Sequence, residues 1–213
     1  MHKAKRQFCL KCLKKLYNEY RRNIMPYLSK KCLNELKDKK KLDVEKIING
    51  PLVNKKKGDK YDVFLSYSYS DKNFALIICA LLIECDISVY IDLNDDYLDR
   101  DDVGEETANR LAEIMNECRG LVYVHTPSAK MSKWCPWELG YMSGRSNFRC
   151  AVIPLIEDKE EFPYQEYLSI YPFVDYEEDT KTNKYTFWVN EYESDKYVSL
   201  KGFVNGAKLC NHE

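Results

Sequence analysis

Tyr61-Asp62-Val63-Phe64-Leu65-Ser66 is the stretch on which the fold turns. It is short and rich in aromatic and branched apolar residues. The polar run Tyr67-Ser68-Tyr69-Ser70-Asp71 follows at once, so it reads as a strand running into a loop. Three later stretches have the same character: Ile87-Ser88-Val89-Tyr90-Ile91-Asp92, Gly120-Leu121-Val122-Tyr123-Val124-His125 and Cys150-Ala151-Val152-Ile153-Pro154-Leu155-Ile156. Their starts are 26, 33 and 30 residues apart. That leaves room for one helix per gap, the rhythm of βαβ units on a parallel sheet. The third and fourth runs are apolar on both alternations, as strands covered on both faces should be.

The helices are visible in the gaps. Asp71 to Glu84 is strongly apolar. Thr107 to Cys118 carries Ala108, Leu111, Ala112 and Met115 at helical spacing, and Trp137 to Gly144 is a third helix. Right-handed crossovers make this a doubly wound α/β sheet, with ligands expected beyond the C-terminal strand ends. Three loops gather there: Ser66–Ser70, Asp92–Asp102 and His125–Lys133. Further on, Tyr171 to Tyr176 reads as a fifth strand, Tyr185 to Val189 as an edge strand, and residues 193–209 as a closing helix.

Upstream of Tyr61 the pattern is helical. Cys9, Leu13, Leu16 and Tyr20 share one face, and Pro26 interrupts it. Leu28, Cys32, Leu33 and Leu36 form a second face, Val44, Ile47 and Ile48 a short third, and Asn49-Gly50-Pro51 a stop. The formal net charge of −1 hides a split. Residues 1–60 hold 19 Lys/Arg against 6 Asp/Glu, and the remainder holds 14 against 28. The join lies near Lys55-Lys56-Lys57-Gly58. The basic part has little aromatic interleaving and reads as a solvated helical face docked on the acidic part, so nucleic acid is not the expected partner. Cys9-Leu10-Lys11-Cys12 is a lone pair of thiols. Zinc needs four ligands, and only His2 and Cys32 are near.

The 213 residues, 45% hydrophobic and 31% charged, suit one globular domain with an appendage. The longest apolar run, Phe74 to Ile83, has ten residues, too short for a bilayer. There is no signal-peptide pattern. Nine scattered cysteines favour a reducing cytoplasm. No glycine-rich phosphate cradle, metal-ligand set or nucleophile elbow is present, so neither a metal nor a resident cofactor is expected. One segment remains: Ser132-Lys133-Trp134-Cys135-Pro136-Trp137-Glu138-Leu139-Gly140-Tyr141. Trp134 and Glu138 are four apart and share a helical face. An aromatic plate beside one acid suits a pocket for a flat or cationic ligand. It equally suits an ordinary helix start, with Glu138 as a cap and the tryptophans as core. Asp92 ends a strand and suits a turn as well as a site. His125 reads as structural, and Trp137 as packing.

Taken together, the boxes resemble Toll/interleukin-1 receptor (TIR) domains. Tyr61 to Ser68 resembles their opening box. Val89-Tyr90-Ile91-Asp92 resembles their second strand and the start of a long loop. Trp134 and Glu138 match the Trp-x-x-x-Glu segment of the NAD-cleaving members. Asp99-Arg100-Asp101-Asp102-Val103, Glu106-Thr107-Ala108, Pro136 to Tyr141 and Gln165 to Pro172 are similar to bacterial TIR proteins of the Thoeris antiphage type. The resemblance implies a flavodoxin-like fold with a central parallel five-stranded sheet flanked by helices. It divides the chain into a basic helical extension (1–58), a TIR domain (59–176) and a C-terminal extension packing on it (177–213). It implies NAD⁺ as substrate, in a glycohydrolase or cyclase reaction yielding an ADP-ribose-derived signal. Glu138 would be the catalytic glutamate, and Ser66, Tyr67, Ser68, Asp92, Ser132 and Trp134 would line the substrate. The implied partners are a second TIR domain and a downstream effector sensing the nucleotide, without a membrane. The alternative is a non-enzymatic TIR adaptor acting by homotypic association.

The chemistry supports the enzymatic reading. Nicotinamide in NAD⁺ is already a cationic leaving group and needs no general acid, so one carboxylate suffices where most glycosidases use two. Trp134 can stack on the pyridinium, a contact worth about 0.5–2 kcal/mol. If Pro136 opens the helix, Glu138 sits third, where the helix N-terminus favours its ionised form.

Overall fold

The computed structural model describes residues 28–53, 60–92, 104–157, 166–192 and 194–211. The Cys9/Cys12 pair, the Cys9–Tyr20 helical face, the lysine-rich join and Asp99 to Val103 lie outside those residues.

The four apolar runs form strands, and a fifth joins them in parallel. They are β2 (Tyr61–Ser66), β3 (Val89–Tyr90), β4 (Cys118–His125), β5 (Cys150–Ile156) and β6 (Phe173–Asp179). Their spatial order, β3-β2-β4-β5-β6, is that of a flavodoxin-like doubly wound sheet. Alternation sends successive side chains to opposite faces. Val63, Leu65, Val122, Val124, Ala151 and Ile153 enter one core, while Phe64, Leu121, Tyr123, Cys150 and Val152 enter the other. On the second face lie α4 (Glu105–Asn116), whose Leu111 and Met115 are buried, the short α5 (Pro127–Met131), whose Ala129 is buried, and α6 (Trp134–Arg145).

The first face explains the apolar run Phe74 to Ile83. It belongs to α3 (Lys72–Glu84), in which Ala75 and every residue from Ile77 to Leu82 are buried. A helix apolar nearly all round needs cover on its outer side too. The preceding segment supplies it: α1 (Lys30–Lys40) and α2 (Val44–Ile48) pack on α3, and Leu28, Leu33, Leu42 and Val53 share one core with the sheet. Lys30 bridges Asp71 (3.1 Å) and Glu157 (2.6 Å), and Lys40 pairs with Glu84 (2.9 Å). Leu28, expected on a helical face, instead forms β1 (Leu28–Ser29) beside the end of β5. The Ser29 hydroxyl accepts from Cys32 N (3.0 Å) and starts the helix only at Lys30.

The last forty residues differ most from expectation. β7 (Lys184–Asn190) is an inner strand, antiparallel to β6, rather than an edge. Beyond it come β8 (Lys196–Ser199) and β9 (Cys210–Asn211). The expected closing helix shrinks to the five residues of α7 (Leu200–Val204), because the flanking residues are drawn into antiparallel ladders. α7 is pinned to the parallel sheet by a buried carboxylate. Asp62 accepts from Ser88 N and Ser88 Oγ (both 2.9 Å) and from Lys201 Nζ (2.9 Å), with Arg119 at 3.6 Å.

Burial alone would raise the Asp62 pKa. The hydrogen bonds from Ser88 and Lys201 outweigh it and hold the carboxyl below its ordinary value. Its stabilisation is therefore complete at neutral pH and fades as the pH falls through that depressed value, below roughly pH 4. Asp62→Asn should cost about 1–2 kcal/mol at pH 7 and much less at acid pH, read as urea midpoints across that range.

Candidate active site

Glu138 reaches the sheet because α6 crosses the end of β2. Ser66, the last residue of β2, shares its face with Phe64, the face that α6 covers. The Ser66 hydroxyl donates to Glu138 Oε2 at 2.5 Å, and both residues are buried. Next along the chain, Tyr67 turns the other way. It is buried, and its phenol donates to the backbone carbonyl of Asp92 at 2.5 Å. Two neighbouring residues thus tie the exit of β2 to α6 and to the exit of β3.

Helix α6 begins earlier than Pro136 suggests. Lys133 already has helical φ and ψ, and the Ser132 hydroxyl accepts from Trp134 N (3.3 Å) and Cys135 N (3.2 Å). Trp134 is the first helical residue and Pro136 the third, where a missing N–H costs nothing. Glu138 is therefore fifth, beyond the first turn in which the helix dipole acts. The helix-end contribution expected for it falls away, and Ser66 is its observed partner.

Among the described residues, a cleft of about 390 Å³, open mouth included, is lined by Phe64, Ser66, Tyr67, Asp92, Trp134 and Glu138, with Leu65, Leu111 and Cys135. It lies at the C-terminal strand ends, where a doubly wound sheet binds ligands. Five of the seven residues expected at the site line it: Ser66, Tyr67, Asp92, Trp134 and Glu138. Ser132 stands outside as the helix cap. Ser68 also stands outside, its hydroxyl 3.1 Å from that of Ser70. Trp134 is 8% exposed, and its indole nitrogen is buried with no hydrogen-bond partner among the described residues. Trp137 lies edge-on to Trp134 (5.5 Å, 86°) and stacks on Tyr141 (5.5 Å, 25°), a packing role.

Sequence reasoning did not single out Leu111, Cys135 or Tyr123. Cys135 adjoins Trp134 and carried its own signal by position. Tyr123 is fully buried, and burial, with Cys135, Tyr167 and Glu138 nearby, pushes its phenol far above the ordinary value. It therefore stays a neutral phenol, 3.1 Å from His125 Nδ1. His125 is wholly buried.

A sequence model of the TIR domain matches residues 63–187, more than half of the chain. The chain belongs to the TIR domain family. Within that family it is 32% identical over 147 residues to the Bacillus cereus (strain MSX-D12) protein named "Probable 3' cyclic ADP-D-ribose synthase ThsB'", covering 68% of this chain and 75% of that protein. It is 34% identical over 102 residues to the Cytobacillus dafuensis protein named "Putative cyclic ADP-D-ribose synthase TIR2". That match takes in 47% of this TIR chain but only 26% of the longer relative. The TIR model's match begins within β2 and ends within β7, so it takes in most of β2, the other four parallel strands and the whole cleft lining. Among the described residues, no helix is long and apolar enough to cross a membrane.

Proposed function

We propose that this TIR protein cleaves the nicotinamide–ribose bond of NAD⁺ and makes a cyclic ADP-ribose-type signal, as the names of its relatives suggest. The observation that carries the proposal is the buried Ser66–Glu138 pair in the wall of the cleft, with Trp134 one helical turn away. Cleavage breaks the bond between the anomeric carbon and the pyridinium nitrogen. The electron pair stays with nitrogen, so nicotinamide leaves neutral and no proton need be supplied. Positive charge builds on the ribose, and the Glu138 carboxylate is the group placed to stabilise it. Ser66 holds that carboxylate in one orientation.

The cation is then captured by water, which gives up a proton to solvent and yields ADP-ribose, or by a nucleophile of the same dinucleotide, which likewise gives up its proton and closes a ring. A cleft walled by Phe64, Leu65, Leu111 and Trp134 keeps water scarce and favours the ring. Because Glu138 and Trp134 both line the cleft, the nicotinamide riboside end of the substrate is the part that would meet it. A second TIR domain packed over the open mouth would enclose the rest. The product would act on an effector protein that senses it, in antiphage defence. An adaptor has no use for a cleft beside Glu138, which favours the enzymatic reading. Incubation with NAD⁺ followed by mass spectrometry is expected to give a nucleotide lighter than ADP-ribose by one water. ADP-ribose as the sole product would restrict the activity to hydrolysis, and intact NAD⁺ would contradict the proposal.

A further inference from the structure

Among the described residues Asp71 is the least exposed carboxylate, at 2%, and the bond cleavage proposed above does not use it. It stands where two loops meet. Its backbone N–H donates to the Ser68 carbonyl (2.8 Å), closing the loop that leaves β2 after Ser66 and Tyr67. Its Oδ2 accepts from the Thr126 hydroxyl (2.6 Å), in the loop that leaves β4. Thr126 in turn accepts from Ala129 N (2.9 Å) and starts α5. Ser132 closes α5, and its hydroxyl starts α6, the helix of Trp134 and Glu138. Ser66 and Glu138, 2.5 Å apart, therefore sit on two segments that Asp71 ties together.

A buried carboxylate needs a countercharge. Asp71 receives it from the segment before the TIR domain. Lys30 Nζ lies 3.1 Å from Asp71 Oδ1 and 2.6 Å from Glu157 Oε1, and packs over the Phe74 ring (5.1 Å). Strand pairing fixes its place, since Ser29 is in register with Ile156 and so sets Lys30 beside Glu157. One ammonium thus joins the exits of β2, β4 and β5, at the edge of the sheet where the cleft opens. We propose that Lys30 is a positioning residue of the active site. By holding Asp71 it holds the loop behind Ser66 against the loop that leads to α6, and so keeps Ser66 on Glu138. The segment before the TIR domain then serves catalysis as well as covering α3. A displacement of about 1 Å at a catalytic group is enough to cost rate heavily.

The positioning role rests on the NAD⁺ reading for its effect on rate. Lys30→Met keeps the length of the side chain and removes its charge. At a temperature well below its melt it is expected to lower kcat for nicotinamide release about tenfold, with KM nearly unchanged. Lys30→Arg, which can bridge the same two carboxylates, should stay within about twofold of the natural rate. Adding Lys30→Met to Thr126→Val should cost nothing further, because both cut one chain of contacts. Lys30→Met combined with Asp71→Asn breaks the same link without stranding a buried carboxylate. It should lose kcat to the same extent, so the outcome does not hang on how well Lys30→Met folds alone. A kcat within about twofold of natural in the combined variant, or a further tenfold loss on the Thr126→Val background, would overturn the role. Amide hydrogen exchange supplies a reading independent of activity. The Lys30 variants that break the link are expected to exchange faster across residues 66–71 and 126–135. Faster exchange in α1 and α3 alone would make Lys30 a docking contact only and overturn the role as well. If the natural chain releases no nicotinamide, the NAD⁺ reading fails, and the exchange pattern still decides whether Lys30 orders the two loops.

Discussion

Glu138→Gln is expected to lower nicotinamide release from NAD⁺ by about a thousandfold while leaving the fold intact. The substitution is nearly isosteric, and the Ser66 hydroxyl that donates to Glu138 Oε2 can donate equally to an amide oxygen. The side chain keeps its place in the wall of the cleft, and only its charge is removed. The leaving group needs no proton, so on the proposed mechanism the carboxylate's contribution to bond cleavage is charge stabilisation. That stabilisation is strongest when the glycosidic bond is nearly broken, so the loss should fall on kcat more than on KM. Steady-state rates together with a thermal melt separate the two effects. A Glu138→Gln protein within about tenfold of the natural rate would remove Glu138 from the catalytic role.

Gly120→Ala is the substitution expected to damage the fold most. A Cβ at this position would lie 2.5 Å from the Arg149 carbonyl oxygen and 3.0 Å from Val204 Cγ1. Only the second contact involves a side chain that can turn away. The first is backbone, and the same oxygen accepts from Leu121 N at 3.0 Å at the start of the β4–β5 ladder. Relief requires that β4 and the segment entering β5 move apart. Arg149 resists, because its guanidinium is held by the carbonyls of Ala207 and Gly206 (both 3.0 Å) and lies over the Phe203 ring. The expected cost is about 3 kcal/mol, or a melting temperature lower by roughly 10 °C in a chain of this size. A melt unchanged within a degree or so would mean that the strands are not so closely apposed there.

The parallel sheet was legible because its physics is local. Strands buried on both faces must be continuous apolar runs, and each crossover needs a helix's length of chain. The C-terminal ladder was not legible in this way. All four residues of β8 are only half-buried, and β9 has two exposed residues, so neither carries an alternating pattern. Two-residue β1 is too short to show one. Pro136 misdirected the helix start because proline favours the first position of a helix yet is tolerated at the third. The Ser132 hydroxyl decided between these, and its hydrogen bonds have no signature in spacing.

The site was legible in part through resemblance and only in part through chemistry. Trp134 and Glu138 share a helical face by arithmetic. Ser66 and Glu138 are 72 residues apart in the chain, and nothing in their spacing brings them together. What does so is the alternation that puts Ser66 on the α6 side of β2. Tyr67 shows the complementary limit, since its place in the opening box does not reveal that its hydroxyl is engaged by the Asp92 carbonyl.

The central claim is that this chain breaks the nicotinamide–ribose bond of NAD⁺. The most direct test follows nicotinamide in real time by proton NMR, with NAD⁺ added to the purified full chain at several concentrations of protein. Free nicotinamide is expected to appear with a nucleotide product, at a rate that climbs more steeply than protein concentration if a second TIR domain closes the cleft. NAD⁺ persisting unchanged at every protein concentration would contradict it.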